Sequence, residues 1–290
     1  MDVFADPVIQ SAALPLAVSL AATGLLAWSG GPRWGAAGIG CGLLAAYGLI
    51  IGLPAWPAVT ALGKAGWLLL TAIPLALAAS KAETDPIPHG PTLTAAVWSL
   101  AGLTWMVQPL LHQGEREDFL HLGGVIVAGL LLGGLFLRNR TDPGADLPRH
   151  GPETAAMLLA ASLGLTGVAF FGASAALAQL AAALAAATGG WLLWNWPRMR
   201  QPFALTGFLT GIGSWLVLAT VLALFSQVSM VAMALLLLAF LSRSAVVRLP
   251  LPAALATPAV RPLLVGMGAL LPAAAAVAVA FHAAAERGGY

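Results

Sequence analysis

The chain is poor in the residues from which most catalytic centres are assembled. Of its 290 residues one is cysteine, five are histidine, two are tyrosine and 8% are charged. The single Cys41 excludes an internal disulfide, and its place within an apolar run reads as a small buried hydrophobe. Soluble domains are about a quarter charged, so this chain is not an ordinary soluble fold. No Asp or Glu falls inside the long apolar runs. That argues against a proton-coupled carrier built on an intramembrane carboxylate and against a pore with a charged selectivity ring. Also missing are a Ser/His/Asp arrangement, a nucleotide-binding glycine loop and a carboxylate pair at catalytic spacing. The N-terminal MDVFADPVIQ carries Asp2 and Asp6 but no basic residue. It lacks the positive start of a secretory signal, so the first apolar run is expected to be a retained helix.

What is present is apolar sequence: 60% hydrophobic residues and a mean hydropathy of +0.90. A membrane span needs about 20 apolar residues. Ten runs approach that length: 8–28, 34–53, 59–80, 92–111, 119–137, 154–171, 174–194, 203–225, 227–241 and 263–283. The expected fold class is therefore an all-α integral membrane protein of about ten transmembrane helices. The short run 227–241 is expected to be tilted little, broken or partly re-entrant. Residues 1–290 form one membrane domain, with halves 1–138 and 153–290 joined by a polar linker at 139–152.

The few charges sort by gap. Arg33, Lys81, Arg138, Arg140, Arg149, Arg198, Arg200, Arg243, Arg248 and Arg261 lie in alternate connections; Lys64, Arg116 and Arg287 lie in the others. This is the asymmetry of the positive-inside rule. It predicts a multi-pass protein of the bacterial inner (cytoplasmic) membrane with both termini outside. The basic residues suit anionic lipid headgroups, and no nucleic-acid partner is expected. Expected partners are the lipid bilayer and a membrane-protein partner. Tryptophans 28, 34, 56, 67, 191, 194 and 196 fall near the predicted interfaces as an aromatic belt, whereas Trp105 and Trp215 fall deeper.

The halves resemble one another. SAALPLAVSLAATG (11–24) aligns with TAAMLLAASLGLTG (154–167), and GWLLLTAIPLAL (66–77) with SWLVLATVLAL (214–224). Because run 1 enters from outside and run 6 from inside, a 5+5 repeat would be inverted, as in many secondary transporters. Gly38/Gly42, Gly48/Gly52, Gly129/Gly133 and Gly207/Gly211 are small-xxx-small pairs suited to close helix packing. The seventh run, almost entirely small residues, is expected at the centre of the bundle.

Two sets of residues carry candidate chemistry. Gln179, Gln108, Trp105, Trp215 and Lys64 are candidates for a substrate path. Lys64 sits about one turn inside the third run, where it either snorkels its ammonium outward or faces a cavity. HQGEREDFLH (112–121) supplies His112, Glu115, Glu117, Asp118 and His121, which with His282 and Glu286 could hold zinc or another divalent ion. A bis-histidine haem between His121 and His282 is a further arrangement these residues allow. Neither set has the tight spacing of a known metal motif, and no cofactor is expected.

GASAALAQLAAALAAATGG (172–190), with the apolar run before it, resembles a segment of uncharacterised bacterial polytopic inner-membrane proteins. Ten spans in this length with inverted halves resemble the drug/metabolite transporter superfamily in architecture, although that superfamily usually has its termini inside. The resemblance implies a transporter-like protein moving a small neutral or amphipathic solute. The alternatives are a non-catalytic accessory or scaffold subunit of a larger membrane complex and an outer-face metal-dependent enzyme.

Overall fold

The computed structural model describes residues 6–82, 90–113, 151–250, 252, 255 and 257–288, together with 123, 124, 126, 127, 129, 130 and 132. Among the described residues the fold is helical throughout, without strands. We number the helices α1 (Leu14–Gly30, continuing a π-helical turn Ile9–Ala13), α2 (a 3-10 turn Pro32–Ala37 leading into Gly38–Ile50), α3 (Ala61–Ala82) and α4 (Gly90–Gln113). Then follow α5 (Gly151–Phe171), α6 (Ala175–Asn195), α7 (Ala204–Phe225), α8 (Met230–Val247) and α9 (Arg261–Glu286). Seven helical segments are long and apolar enough to cross a membrane: Ile9–Gly30 and helices α3, α5, α6, α7, α8 and α9.

The elements begin and end where backbone chemistry requires. Gly31 takes a φ of 94°, a left-handed turn that closes α1 and lets Pro32 open the next helical turn. α7 is not continuous α-helix: Phe208–Gly213 is a π-turn between Ala204–Gly207 and Ser214–Phe225. The short ninth run, expected to be tilted little, broken or partly re-entrant, lies in one helical segment that passes through a 3-10 turn, Ala239–Leu241, and continues as Ser242–Val247 past the predicted end.

Packing is densest where side chains are smallest. α5 packs most extensively on α9 and α6, and α6 also packs on α1 and α2. A Cβ on Gly38 would collide with Thr23 Oγ1, and one on Gly42 would meet the Pro15 carbonyl at 2.5 Å. From the other side, Gly190 faces the Leu16 carbonyl at 2.7 Å, and Ser19 Oγ donates to the Ala187 carbonyl at 2.6 Å. α1 is thus gripped between α2 and α6 at backbone distance. The pair Gly48/Gly52 behaves differently: neither has a neighbour within 4 Å of a built Cβ, and Gly52 serves a turn at φ 99°. The centre also differs from expectation. The α7 segment is the most buried, 83% of its window against 61% for α6.

Contacts gather the described basic residues of the larger set at one end of the bundle. Lys81 stacks over Trp34, and Thr206 donates to the Arg33 carbonyl. Gly151 touches Phe203, Asn195 caps the Arg200 amide, and Arg243 and Arg261 both reach Glu153. We call this the basic end. The repeat-related residues find unlike partners: Gly24 packs on Trp194 and Gly167 on Val277, while Ser162 Oγ, unlike Ser19 Oγ, has no partner among the described residues.

Gly42→Leu is expected to disrupt the α1–α2–α6 contact, whereas Gly48→Leu meets open space. Thermal unfolding of the two purified variants should separate them. Gly42→Leu should lose about 2 kcal/mol or more through overpacking and Gly48→Leu less than about 0.5 kcal/mol.

Candidate functional site

The candidate residues divide into three places. At the end opposite the basic one, Lys64 lies in the first turns of α3 and is 6% exposed. Its ammonium does not snorkel outward. Nζ donates to the Trp105 carbonyl on α4 at 2.7 Å and lies 5.8 Å from the centroid of the Trp105 ring. The reason is visible in the α4 sequence. An α-helical carbonyl is paired with the amide four residues on, and four residues after Trp105 stands Pro109, which has no N–H. Lys64 supplies the missing donor. In an apolar medium an orphaned carbonyl costs several kcal/mol, so the lysine replaces that penalty with a charge-assisted bond between helices.

Trp56 and Trp67 enclose the same region. Trp56 lies 6.3 Å from Trp105 and meets Trp67 edge-on at 5.9 Å, and Trp67 Nε1 donates to the Ala55 carbonyl. Trp56 is 73% exposed, as an interfacial tryptophan should be. Trp191 departs from the predicted belt: it is fully buried and packs edge-on to Phe203 at 5.4 Å.

The second place is the interior of α7. Thr206, Thr210 and Ser214 recur every four residues along one side of the π-turn. Thr206 Oγ1 donates to the Arg33 carbonyl at 2.6 Å, and the single proton of Thr210 Oγ1 is shared between the Thr206 carbonyl at 2.7 Å and the Ala36 carbonyl at 3.1 Å; Arg33 and Ala36 both lie in the 3-10 turn of α2. Two irregular helical turns are therefore cross-linked by threonine hydroxyls. Near their junction Gln201 Oε1 lies buried without a partner among the described residues, against the position a Cβ on Gly35 would take. Farther along α7, Trp215 is 1% exposed and its ring meets Phe240 edge-on at 5.0 Å. Trp215 also lines a cavity of about 90 Å³ between α7 and α8.

The third place is the basic end, where the sequence shows no carboxylate inside a span. α5 begins at Gly151, three residues before the predicted start, so Glu153 falls in its first turn and is buried. Arg243 Nε approaches one carboxylate oxygen at 2.9 Å and Arg261 Nε the other at 3.3 Å. One carboxylate thus holds the end of α8 and the start of α9 against α5. At the opposite end Arg287 repeats the arrangement with neutral acceptors, donating to the carbonyls of Phe171 and Gln227. α5, α8 and α9 are pinned at both ends.

The substrate-path candidates do not converge. Lys64 and Trp105 are in contact, Trp215 lies on α7, Gln179 is half-buried on α6, and Gln108 is exposed on α4. Of the metal candidates, Glu115, Glu117, Asp118 and His121 lie outside the described residues, as does the side chain of His112. His282 and Glu286 are exposed on the last turns of α9. The proposed haem pair includes His121 and lies outside the described residues with it. The Lys64 bracket and the Glu153 node escaped the sequence reading. Pro109 was the available signal for the first, and the capping-like GPE at the start of α5 for the second.

Lys64→Met is expected to cost about 1–3 kcal/mol by reopening the Trp105 carbonyl. Pro109→Ala returns an amide to that carbonyl, so the lysine substitution should cost about 1 kcal/mol less in the alanine background, a coupling read from a double-mutant cycle of unfolding energies. Glu153→Gln removes the negative charge that the Arg243 and Arg261 guanidinium groups share. The expected loss is about 2–3 kcal/mol, below that of a fully buried pair because the arginine side chains are 18% and 33% exposed. Among known proteins no family model matches the chain, and no curated protein or solved structure is similar to it.

Proposed function

We propose that this chain is a transporter-like protein of the bacterial inner membrane that moves a small neutral or amphipathic solute. In this reading it crosses the bilayer ten times as inverted 5+5 halves, with the basic end in the cytoplasm and both ends of the chain outside. The orientation is supported by the collection of Arg33, Lys81, Arg198, Arg200, Arg243, Arg248 and Arg261 toward one end.

One observation carries the functional reading: the junction of the 3-10 turn of α2 with the π-turn of α7. Irregular backbone at membrane depth is tolerated only where it is buried in protein or lines a cavity, and discontinuous helices form the solute sites of many carriers. Here the irregular turns face each other through Thr206 and Thr210, running inward from the basic end, and no described charged side chain enters the contact. Neutral hydroxyls and carbonyls suit a solute recognised by hydrogen bonds and apolar contact. A hydroxyl bonded to a carbonyl can exchange that partner for a solute without leaving a charge uncompensated. The helices pinned by Glu153 and Arg287 provide a body against which α7 and α2 can shift.

The second reading, an accessory subunit, is favoured by the hydroxyls of α7 and α6 that are already satisfied. Thr210, Ser214 and Thr220 donate to the carbonyl four residues back at 2.7 Å, as does Thr188, so these hydroxyls need no solute to satisfy them.

Cysteine accessibility separates the two. In a Cys41→Ala background, Thr210→Cys should react with a membrane-impermeant maleimide from both faces, in intact spheroplasts and in inverted vesicles, because alternating access exposes the junction to each side in turn. Leu184→Cys, packed within α6, should stay unlabelled. Absence of labelling at position 210 from either face removes the transporter reading and leaves the accessory subunit.

A further inference from the structure

We infer that Arg261, held at the start of α9 by Glu153, is a specific binding site for the phosphate of an anionic phospholipid at the basic end of the bundle. The site stands apart from the solute junction proposed above and does not depend on transport. It is also narrower than the general attraction of basic residues to a membrane surface, because one guanidinium in one fixed pose carries it.

Charge and pose come first. Glu153 carries one negative charge and faces two guanidinium groups, so the cluster keeps one positive charge. Arg261 turns Nε to the carboxylate at 3.3 Å, and its two Nη groups have no partner among the described residues. Neither Nη is among the buried atoms that lack a partner, and the side chain is a third exposed, so both can be reached from outside. A guanidinium presents five N–H donors in a planar fork, and a phosphate offers two oxygens that match one edge of it. With Nε committed to Glu153, the Nη edge is left for that second acceptor. Binding an anion ordinarily costs a surface arginine its side-chain freedom. Here an almost wholly buried carboxylate has already fixed the arginine.

The surroundings of the fork select a lipid over a soluble anion. Trp196 is exposed, and its Nε1 donates to the Ala259 carbonyl at 2.8 Å, two residues before Arg261. Exposed tryptophan of a membrane protein sits at headgroup depth, so this contact sets the level of Arg261. Leu255 before it and Leu263 just after it are also exposed. A free phosphate gains nothing from those leucines. A phospholipid meets both features, with its phosphate on the guanidinium and its chains against the apolar side chains. The single positive charge of the cluster matches the single negative charge of a phosphatidylglycerol diester. A zwitterionic headgroup brings an ammonium as well, which the cluster repels.

The test uses the full-length protein in neutral detergent micelles, titrated with dioleoyl phosphatidylglycerol and read by native mass spectrometry. The first phosphatidylglycerol should bind saturably and about tenfold more tightly than dioleoyl phosphatidylcholine. Glycerol 3-phosphate, the headgroup chemistry without chains, should not displace it at equal concentration. Arg261→Gln should lose the preference. Arg248→Gln removes a charge from the same end but outside the cluster and should keep it. If thermal unfolding shows that Arg261→Gln does not hold the fold, Arg261→Lys takes its place, since it keeps the charge, removes the fork and should also lose the preference. The inference is overturned if the two lipids bind alike or if the preference survives replacement of Arg261. It is equally overturned if Arg248→Gln loses the preference to the same extent, which is the result for diffuse attraction. Displacement by glycerol 3-phosphate would overturn the lipid in favour of a soluble anion.

Discussion

A polar group in the interior of this protein has to be paired by the protein itself, and that constraint explains more of the structure than apolar burial does. Between helices surrounded by hydrocarbon the hydrophobic effect provides no net attraction, so close packing and hydrogen bonding must hold the bundle together. Close packing is supplied by Gly38, Gly42 and Gly190, which bring three helix backbones within reach of one another. Hydrogen bonding is supplied where the backbone departs from regularity. Pro109 takes a donor from α4 and Lys64 of α3 returns one. The 3-10 turn of α2 leaves carbonyls at Arg33 and Ala36, and Thr206 and Thr210 of α7 meet them. Trp194 of α6 donates to the Leu20 carbonyl within α1. The proline of α4 and the 3-10 turn of α2 are each answered by a side chain from another helix.

The same rule accounts for the placement of charge. A carboxylate in the first turn of α5 is affordable only because two guanidinium groups share it. Placing Glu153 there also exploits the positive end of a helix dipole. Lys64 is the more unusual case, since its described partners are a neutral carbonyl and the face of a ring. Both are electron-rich, and both belong to Trp105. The lysine is therefore a bracket between α3 and α4 more than a free charge available to a solute. This weighs against a path lined by Lys64 and in favour of one near α7.

How much of this was legible in the sequence follows from which forces act on single residues. The preference of a charge for an interface belongs to that residue alone, so sorting Arg and Lys by gap anticipated the basic end. Lateral position is different. α5 and α6 are apolar all round, so no polar stripe in the sequence says which face meets a neighbour. Trp191 and Trp194 lie three residues apart near the end of α6; one is wholly buried, and the other caps a carbonyl of α1. Nothing local separates them. The glycine pairs teach the same lesson, since Gly38/Gly42 and Gly48/Gly52 share a spacing and only the first meets another helix. A three-residue shift in the start of α5 brought Glu153, just ahead of the predicted sixth run, into the helix as a buried node.

Unpaired polar groups therefore mean more here than they would in a soluble protein. Where Thr, Ser, Lys, Arg and Trp side chains satisfy carbonyls across the bundle, five buried atoms among the described residues stand out: the hydroxyls of Thr23 and Ser162, the indoles of Trp191 and Trp215 and the Gln201 carboxamide oxygen. Water is the ordinary remedy for such atoms, but it needs a polar site with two or more partners. The described surroundings of Trp215 are leucine, alanine, methionine and an already committed threonine. Close packing in place of a partner therefore holds these atoms, and the rule of pairing has its described exceptions in α1, α5, α6 and α7 as well as at Gln201.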